Sequence, residues 1–161
     1  MEKGLSDVDL KHFHRAIELA LQAETEGNLP IGCVIAFNGR NVAEGRNAIF
    51  APELYPMRHA EIEALKHVPR ELLQNSHQLT LYTTLEPCLM CTATILHHGV
   101  GRVLFGSTDR YGGPACTFGQ MPPYYEEQFA AVQWLGPVLP EACDSLYQRA
   151  MKIEKRRRSA G

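Results

Sequence analysis

The strongest constraint on this chain is the short motif Pro87-Cys88-Leu89-Met90-Cys91 taken with the triplet His59-Ala60-Glu61. Cys88 and Cys91 are three residues apart, so in a helix both sulfurs lie on one face. Pro87 suits a helix start, and in a first turn the macrodipole and free N–H groups favour thiolates. His59 also opens an apolar pattern of helical spacing. Two helix starts that converge beside a sheet would offer one nitrogen and two sulfurs. That is the ligand set of a catalytic zinc ion, with three protein ligands and a fourth position open to water. A His-x-Glu triplet alone means little, since chance gives roughly 0.6 in such a composition; Pro-Cys-x-x-Cys arises by chance about once per hundred such chains. The competing reading is two buried free cysteines and a solvated histidine. A closed structural site in an interaction module is another. It would need a fourth ligand from Cys116, His97 or His98, and it would leave Glu61 without a purpose.

The cysteine count agrees with a metal. There are five, at 33, 88, 91, 116 and 143. An odd number spread along 161 residues is not a disulfide framework. Cys33 reads as a small core residue, Cys116 as a loop residue and Cys143 as part of a helix face. His12, His14, His67 and His77 read as solvated. The length suits one domain over residues 1–161. Hydrophobic residues at 45% and charged residues at 21% exclude a disordered chain. The start, Met1 to Asp7, has no apolar leader, and no apolar run approaches the roughly 18 residues of a membrane span. The expectation is a soluble, cytoplasmic protein without a membrane partner.

The elements alternate. Ser6 and Asp9 form a capping-box-like start, followed by Leu10, Phe13, Ile17, Ala20 and Leu21 at helical spacing up to Gly27. Residues 31–37 read as a buried strand, Asn38-Gly39 as a hairpin turn and 41–45 as its antiparallel partner. A loop at 47–57 leads to a helix over 59–68. A strand at 79–83, a helix at 88–98 and a strand at 102–106 follow. Residues 107–123 read as a long loop, 131–135 as a fifth strand and the segment after Pro140 as a helix. Strands separated by helices should pair in parallel. The order predicts an α/β sandwich.

These residues resemble the zinc-dependent cytidine/deoxycytidylate deaminase superfamily, whose signature is H-x-E followed by P-C-x-x-C. The stretches Leu81 to Cys88 and Gly101 to Gly106 most resemble the branch of tRNA adenosine deaminases and guanine or cytosine deaminases. The resemblance covers about residues 8–110. It implies a three-layer α/β/α sandwich with a mixed five-stranded sheet, one Zn2+ per chain on His59, Cys88 and Cys91, and a homodimer. It also implies a hydrolase acting on the C–N bond of a cyclic amidine in a nucleobase or nucleoside. Zinc makes water a nucleophile near neutral pH. Glu61 is then the proton carrier, and the backbone N–H groups of Ala60 and Cys88 face the developing charge. Outside that role, Glu61 is a helix-start carboxylate favoured by the dipole. Asn47, just after a strand, matches an asparagine that holds the base in related deaminases. Its alternative is a turn residue. The relatives' Asp-Pro-Thr-Ala-His-Ala-Glu is here Tyr55-Pro56-Met57-Arg58-His59-Ala60-Glu61, without that Asp and Thr. Asp109 matches an aspartate of the tRNA-acting branch, or is a surface loop residue.

Charge bears on the substrate. The formal net charge of −2 excludes a chain basic throughout. Yet residues 149–161 hold six cations against Glu154, a local +5, which leaves −7 elsewhere. This basic tail resembles the last helix of tRNA adenosine deaminases and would suit phosphates. Cations at a helix C-terminus are also favoured without any ligand. The loop Ser107 to Cys116 departs from that branch, and Met121-Pro122-Pro123-Tyr124-Tyr125 would close a stacked pocket over a free base. The sequence therefore favours a small nucleobase or nucleoside, with tRNA as the alternative substrate.

Overall fold

Helix α1 (Asp7–Thr25) starts on a reciprocal cap. Ser6 Oγ accepts the Asp9 N–H at 3.1 Å, and Asp9 Oδ2 accepts the Ser6 N–H at 3.0 Å. Aspartate thus does at this position what glutamate does in the usual capping box. Strands β1 (Gly32–Phe37) and β2 (Arg40–Arg46) form the expected antiparallel hairpin. Asn38 and Gly39 turn it with φ of 49° and 74°, the left-handed pair that a two-residue hairpin loop needs. The computed structural model describes residues 4–160. Residues 1–3, the start of the segment read for a leader, and Gly161 at the end of the basic tail lie outside the described residues.

The remaining elements are α2 (Ala60–Lys66), a 3-10 stretch (Arg70–Gln78), β3 (Leu79–Leu85), α3 (Leu89–His98), β4 (Arg102–Ser107), a 3-10 turn (Pro114–Cys116), α4 (Pro123–Ala130), β5 (Gln133–Leu135) and α5 (Pro140–Ser159). Two boundaries differ from the sequence expectation in a way that matters. His59 and Cys88 are not in first turns; each is the N-cap, in extended backbone, of α2 and α3. The strand expected over 131–135 begins only at Gln133, because Ala131 and Val132 still bond back to the end of α4.

The sheet has the order β2-β1-β3-β4-β5. β1 is antiparallel to both neighbours, while β3-β4 and β4-β5 are parallel, as right for strands joined by helices. Side chains alternate across it. Cys33, Ile35, Leu79, Leu81 and Val103 face α2 and α3. Val34, Ala36, Tyr82 and Leu104 face Phe13, Ala16 and Leu19 of α1 and Cys143 of α5. Helices thus cover both faces, the three-layer sandwich anticipated. Helix α5 begins on the α1 face, and farther along Ala150 and Ile153 join the α2 and α3 core. It therefore passes the ends of the strands.

Gly45 sets the position of α2. A Cβ there would run into the Ala60 carbonyl and the Ala64 amide, so only glycine lets α2 lie this close to β2. Among the described residues no helix is long and apolar enough to cross a membrane.

Candidate active site

The two N-caps meet. His59 Nδ1 lies 3.6 Å from Cys88 Sγ and 3.6 Å from Cys91 Sγ. Tetrahedral zinc at its usual N and S distances would hold those atoms about 3.6 Å apart. The donors are already at ligand spacing, and one imidazole with two sulfurs is a zinc set, so the residues fit the ion. Among the described residues, His59, Cys88 and Cys91 form the group whose donor atoms all lie within 4.8 Å of one another. The expected candidates for a fourth, closing ligand are engaged elsewhere. Both His97 ring nitrogens face tyrosine hydroxyls of α4, His98 Nδ1 faces the Thr94 carbonyl, and Cys116 is exposed.

Glu61 is the second residue of α2 and is 3% exposed. The Cys91 thiol donates to its Oε2 at 3.5 Å, and the Thr83 hydroxyl donates to its Oε1 at 3.2 Å. Burial and the nearby Cys88 sulfur push the Glu61 carboxyl above its usual range, against the pull of His59. Cys91 and His59, close beside Cys88, hold its thiol below the usual range against burial. Cys91, beside that sulfur and itself buried, is pushed up. The cluster thus favours Cys88 as the more acidic thiol, and a metal ion would displace the thiol protons. The hydrogen bond that its ring N–H donates to the Cys88 sulfur pushes the His59 imidazole above its usual range.

These groups open onto a cavity of about 660 Å³, lined by His59, Glu61 and Cys88 and by Leu29, Ile31, Leu85 and Glu86. It lies where β1 begins and β3 and β4 end. The carboxyl ends of parallel strands are where α/β sheets bind ligands. The far wall is α5, through Tyr147, Ala150, Met151, Lys152, Glu154, Lys155 and Arg158. Sequence reasoning placed only charge on this helix and missed its role as a wall. The signal was the apolar spacing of Leu146, Ala150 and Ile153, which turns one side of a basic helix inward. Within that lining, Arg158 Nη1 donates to Tyr111 Oη at 2.6 Å; outside it, Arg157 of α5 lies 3.6 Å from the centre of the Phe50 ring.

Asp109 lies in the cavity wall, where its Oδ1 accepts the Tyr111 and Gly112 N–H groups, both at 2.9 Å. Glu86 Oε2 in turn accepts the Asp109 N–H at 3.1 Å, a support that sequence reasoning missed. Asn47 is fully buried and not itself in the cavity lining; it touches that lining through Leu29. Its Oδ1 accepts from Leu29 and Ile49, each at 3.3 Å, while its Nδ2 has no partner among the described residues. Ala60 is the first residue of α2, where an N–H has no intrahelical acceptor. Tyr124 and Tyr125 do not close the pocket as expected. Two prolines start α4 there, and both rings pack on His97 of α3 instead.

The chain belongs to the cytidine and deoxycytidylate deaminase family, whose zinc-binding region matches residues 6–107. A tRNA-specific adenosine deaminase of Haemophilus influenzae is 42% identical over 110 residues, 66% of this chain and 62% of that protein. The match therefore spans less than two thirds of that relative. A tRNA-specific adenosine deaminase of Bacillus subtilis is 32% identical over 157 residues, 94% of each chain. A structure solved in work on A-to-I editing by tRNA:A34 deaminases superposes with a TM-score of 0.66 at 29% identity, covering 78% of this chain and 97% of that one.

Proposed function

We propose that the protein is a hydrolytic deaminase that replaces the amino group of an aminated nucleobase or nucleoside with a carbonyl and releases ammonia. The observation that carries this is the buried Glu61 carboxylate, with Oε2 beside the three-donor cluster and a cavity opening on both. Zinc bound by His59, Cys88 and Cys91 supplies the Lewis acidity that makes water a nucleophile near neutral pH. Glu61 Oε2 takes a proton from the attacking water and gives one to the ring nitrogen beside the reacting carbon. It then takes the remaining proton from the added hydroxyl, as the carbonyl forms, and delivers it to the departing amino group. Water is consumed, the exocyclic C–N bond breaks and ammonia leaves. A carboxyl raised above its usual range suits a group that must both accept and donate. The N–H groups of Ala60 and Cys88 stabilise the developing charge, and Asn47 Nδ2 and Asp109 hold the base.

A second reading, in which the base is an adenosine of tRNA, is favoured by the cations of α5. Lys152, Lys155 and Arg158 line the cavity that holds the cluster, so a polyanion would meet positive charge at its mouth. The named activity of the relatives supports it. Cytoplasmic location goes with either substrate. The homodimer belongs to the same proposal, and the exposed Leu54, Tyr55 and Met57 are the apolar surface that a partner copy would cover.

The test is an ammonia-release screen of the zinc-loaded protein on guanine, cytosine, adenine, their nucleosides and unmodified tRNA, with Glu61→Gln as control. Release from a base or nucleoside, abolished in the variant with zinc retained, supports the first reading. Inosine formed only in tRNA supports the second. No ammonia from any of them overturns the deaminase proposal.

A further inference from the structure

We infer that Thr83 is a positioning residue for Glu61, its buried hydroxyl anchoring Oε1 so that Oε2 is presented to the metal donors. The inference rests on the proton-carrying role proposed for Glu61. Thr83 continues the row Leu79, Leu81 on β3, which faces α2 and α3 and is otherwise apolar. It is 0% exposed, and its register partner on β1 is the equally buried Cys33. A hydroxyl in such a row needs an acceptor, because an unpaired buried polar group is costly. Among the described residues the acceptor is Glu61 Oε1, at 3.2 Å.

The bond does what the fold alone does not. As the second residue of α2, Glu61 has a fixed Cα, but three side-chain torsions still separate that atom from the carboxylate. Held at Oε1 by the sheet, the carboxylate turns its other oxygen to the cluster, where Cys91 Sγ lies 3.5 Å from Oε2. The two oxygens therefore have different tasks: one is tied to β3 and the other is free to exchange protons. Threonine suits the tether because its χ1 is stiff. Its neighbour Thr84 takes no part, since its hydroxyl accepts the Gly32 N–H at 3.2 Å.

Thr83→Val keeps the shape and removes the hydroxyl; Thr83→Ser keeps the hydroxyl. Crystal structures of the zinc-loaded wild type and Thr83→Val give a readout that needs no substrate. The expected result is a Glu61 carboxylate that is rotated or spread over several rotamers in the variant, with the ligands unmoved. A carboxylate unchanged in Thr83→Val overturns the inference. With whichever substrate the ammonia screen identifies, Thr83→Val should lower kcat about tenfold to a hundredfold, as for loss of a buried hydrogen bond to a charged group, with KM held within about twofold. Thr83→Ser should recover most of the rate. Unchanged kcat in Thr83→Val, or a loss that falls equally on zinc content and KM and is not rescued by serine, also overturns it. If Glu61→Gln keeps its ammonia release, the failure lies in the role given to Glu61, and the crystallographic comparison still decides the tether.

Discussion

Arg102 Nη1 donates to Asp9 Oδ1 at 2.6 Å and so ties α1 to β4, residues 93 apart in sequence. The Tyr82 hydroxyl donates to the same oxygen at 2.8 Å. Burial pushes the Asp9 carboxyl up, but Arg102, Ser6 and Tyr82 together hold it well below the usual carboxylate range. A carboxyl depressed in the folded state contributes stability that is fully present above its unfolded pKa of about 3.9 and is lost as pH falls through the folded value. Asp9→Asn should therefore cost about 2 kcal/mol at neutral pH. In urea titrations the gap from wild type should narrow below about pH 4. A gap that stays constant down to acid would mean that the ion pair contributes nothing.

Gly45→Ala tests how α2 is placed. The added methyl meets the Ala60 carbonyl and the Ala64 amide, both backbone, so the helix must move. The expected cost is about 1–3 kcal/mol, as for overpacking in a rigid core. Because His59 caps the same helix, zinc affinity should fall along with the melting temperature. Normal zinc content at a lowered melting temperature would show that the helix shifts without carrying the ligand.

Alternation and helical spacing made most of the fold legible. Ser6 with Asp9 and Asn38-Gly39 each acted locally, and each sits where its chemistry predicts; Pro87, expected in a first turn, instead precedes the N-cap of α3. The three-donor cluster was legible for the same reason: residue type and i, i+3 spacing are properties of the chain alone. What stayed hidden was set by distant contacts. The 3-10 stretch Arg70–Gln78 buries no side chain and so leaves no periodic trace. Cys88 belongs to the cap because extended backbone continues through it, which spacing does not report. Tyr124 and Tyr125 went to His97 because α4 packs on α3, and the wall formed by α5 depends on where that helix crosses the sheet.

Metal removal has a definite expected signature. The ion binds thiolates and a neutral imidazole, so affinity should fall as pH falls and protonates them, and the remaining thiol protons should be released on loading. Competition with a chromophoric chelator from about pH 8 down to 5.5 measures this. Stripping the metal should lower apparent stability by about 4 kcal/mol at a free concentration a thousand times Kd. Cys91→Ser should abolish stoichiometric zinc. A pH-independent affinity would argue against thiol and imidazole donors.

Asn47 carries two tasks that substitution can separate. Its Oδ1 accepts two buried backbone N–H groups, from Leu29 and Ile49, and its Nδ2 has no partner among the described residues. Asn47→Ala orphans both donors and should cost about 3 kcal/mol. Asn47→Asp keeps the acceptor and removes only the free amide, so its stability should fall by much less while KM rises. Equal KM for Asn47→Asp and wild type would assign the residue to structure alone.

The basic end of α5 decides between substrates through salt. Lys155 and Arg156 are exposed and form no ion pair among the described residues, unlike Arg149 and Arg158. If they meet phosphates, each releases counterions on binding. The slope of log Kd for unmodified tRNA against log salt, measured by anisotropy, should then drop by about 0.7–0.9 for each of Lys155→Ala and Arg156→Ala. Activity on a free base, which carries no phosphate, should not respond to Arg156→Ala, since Arg156 lies outside the cavity lining. An unchanged slope would assign the cations to the helix dipole and leave the nucleobase or nucleoside as the substrate.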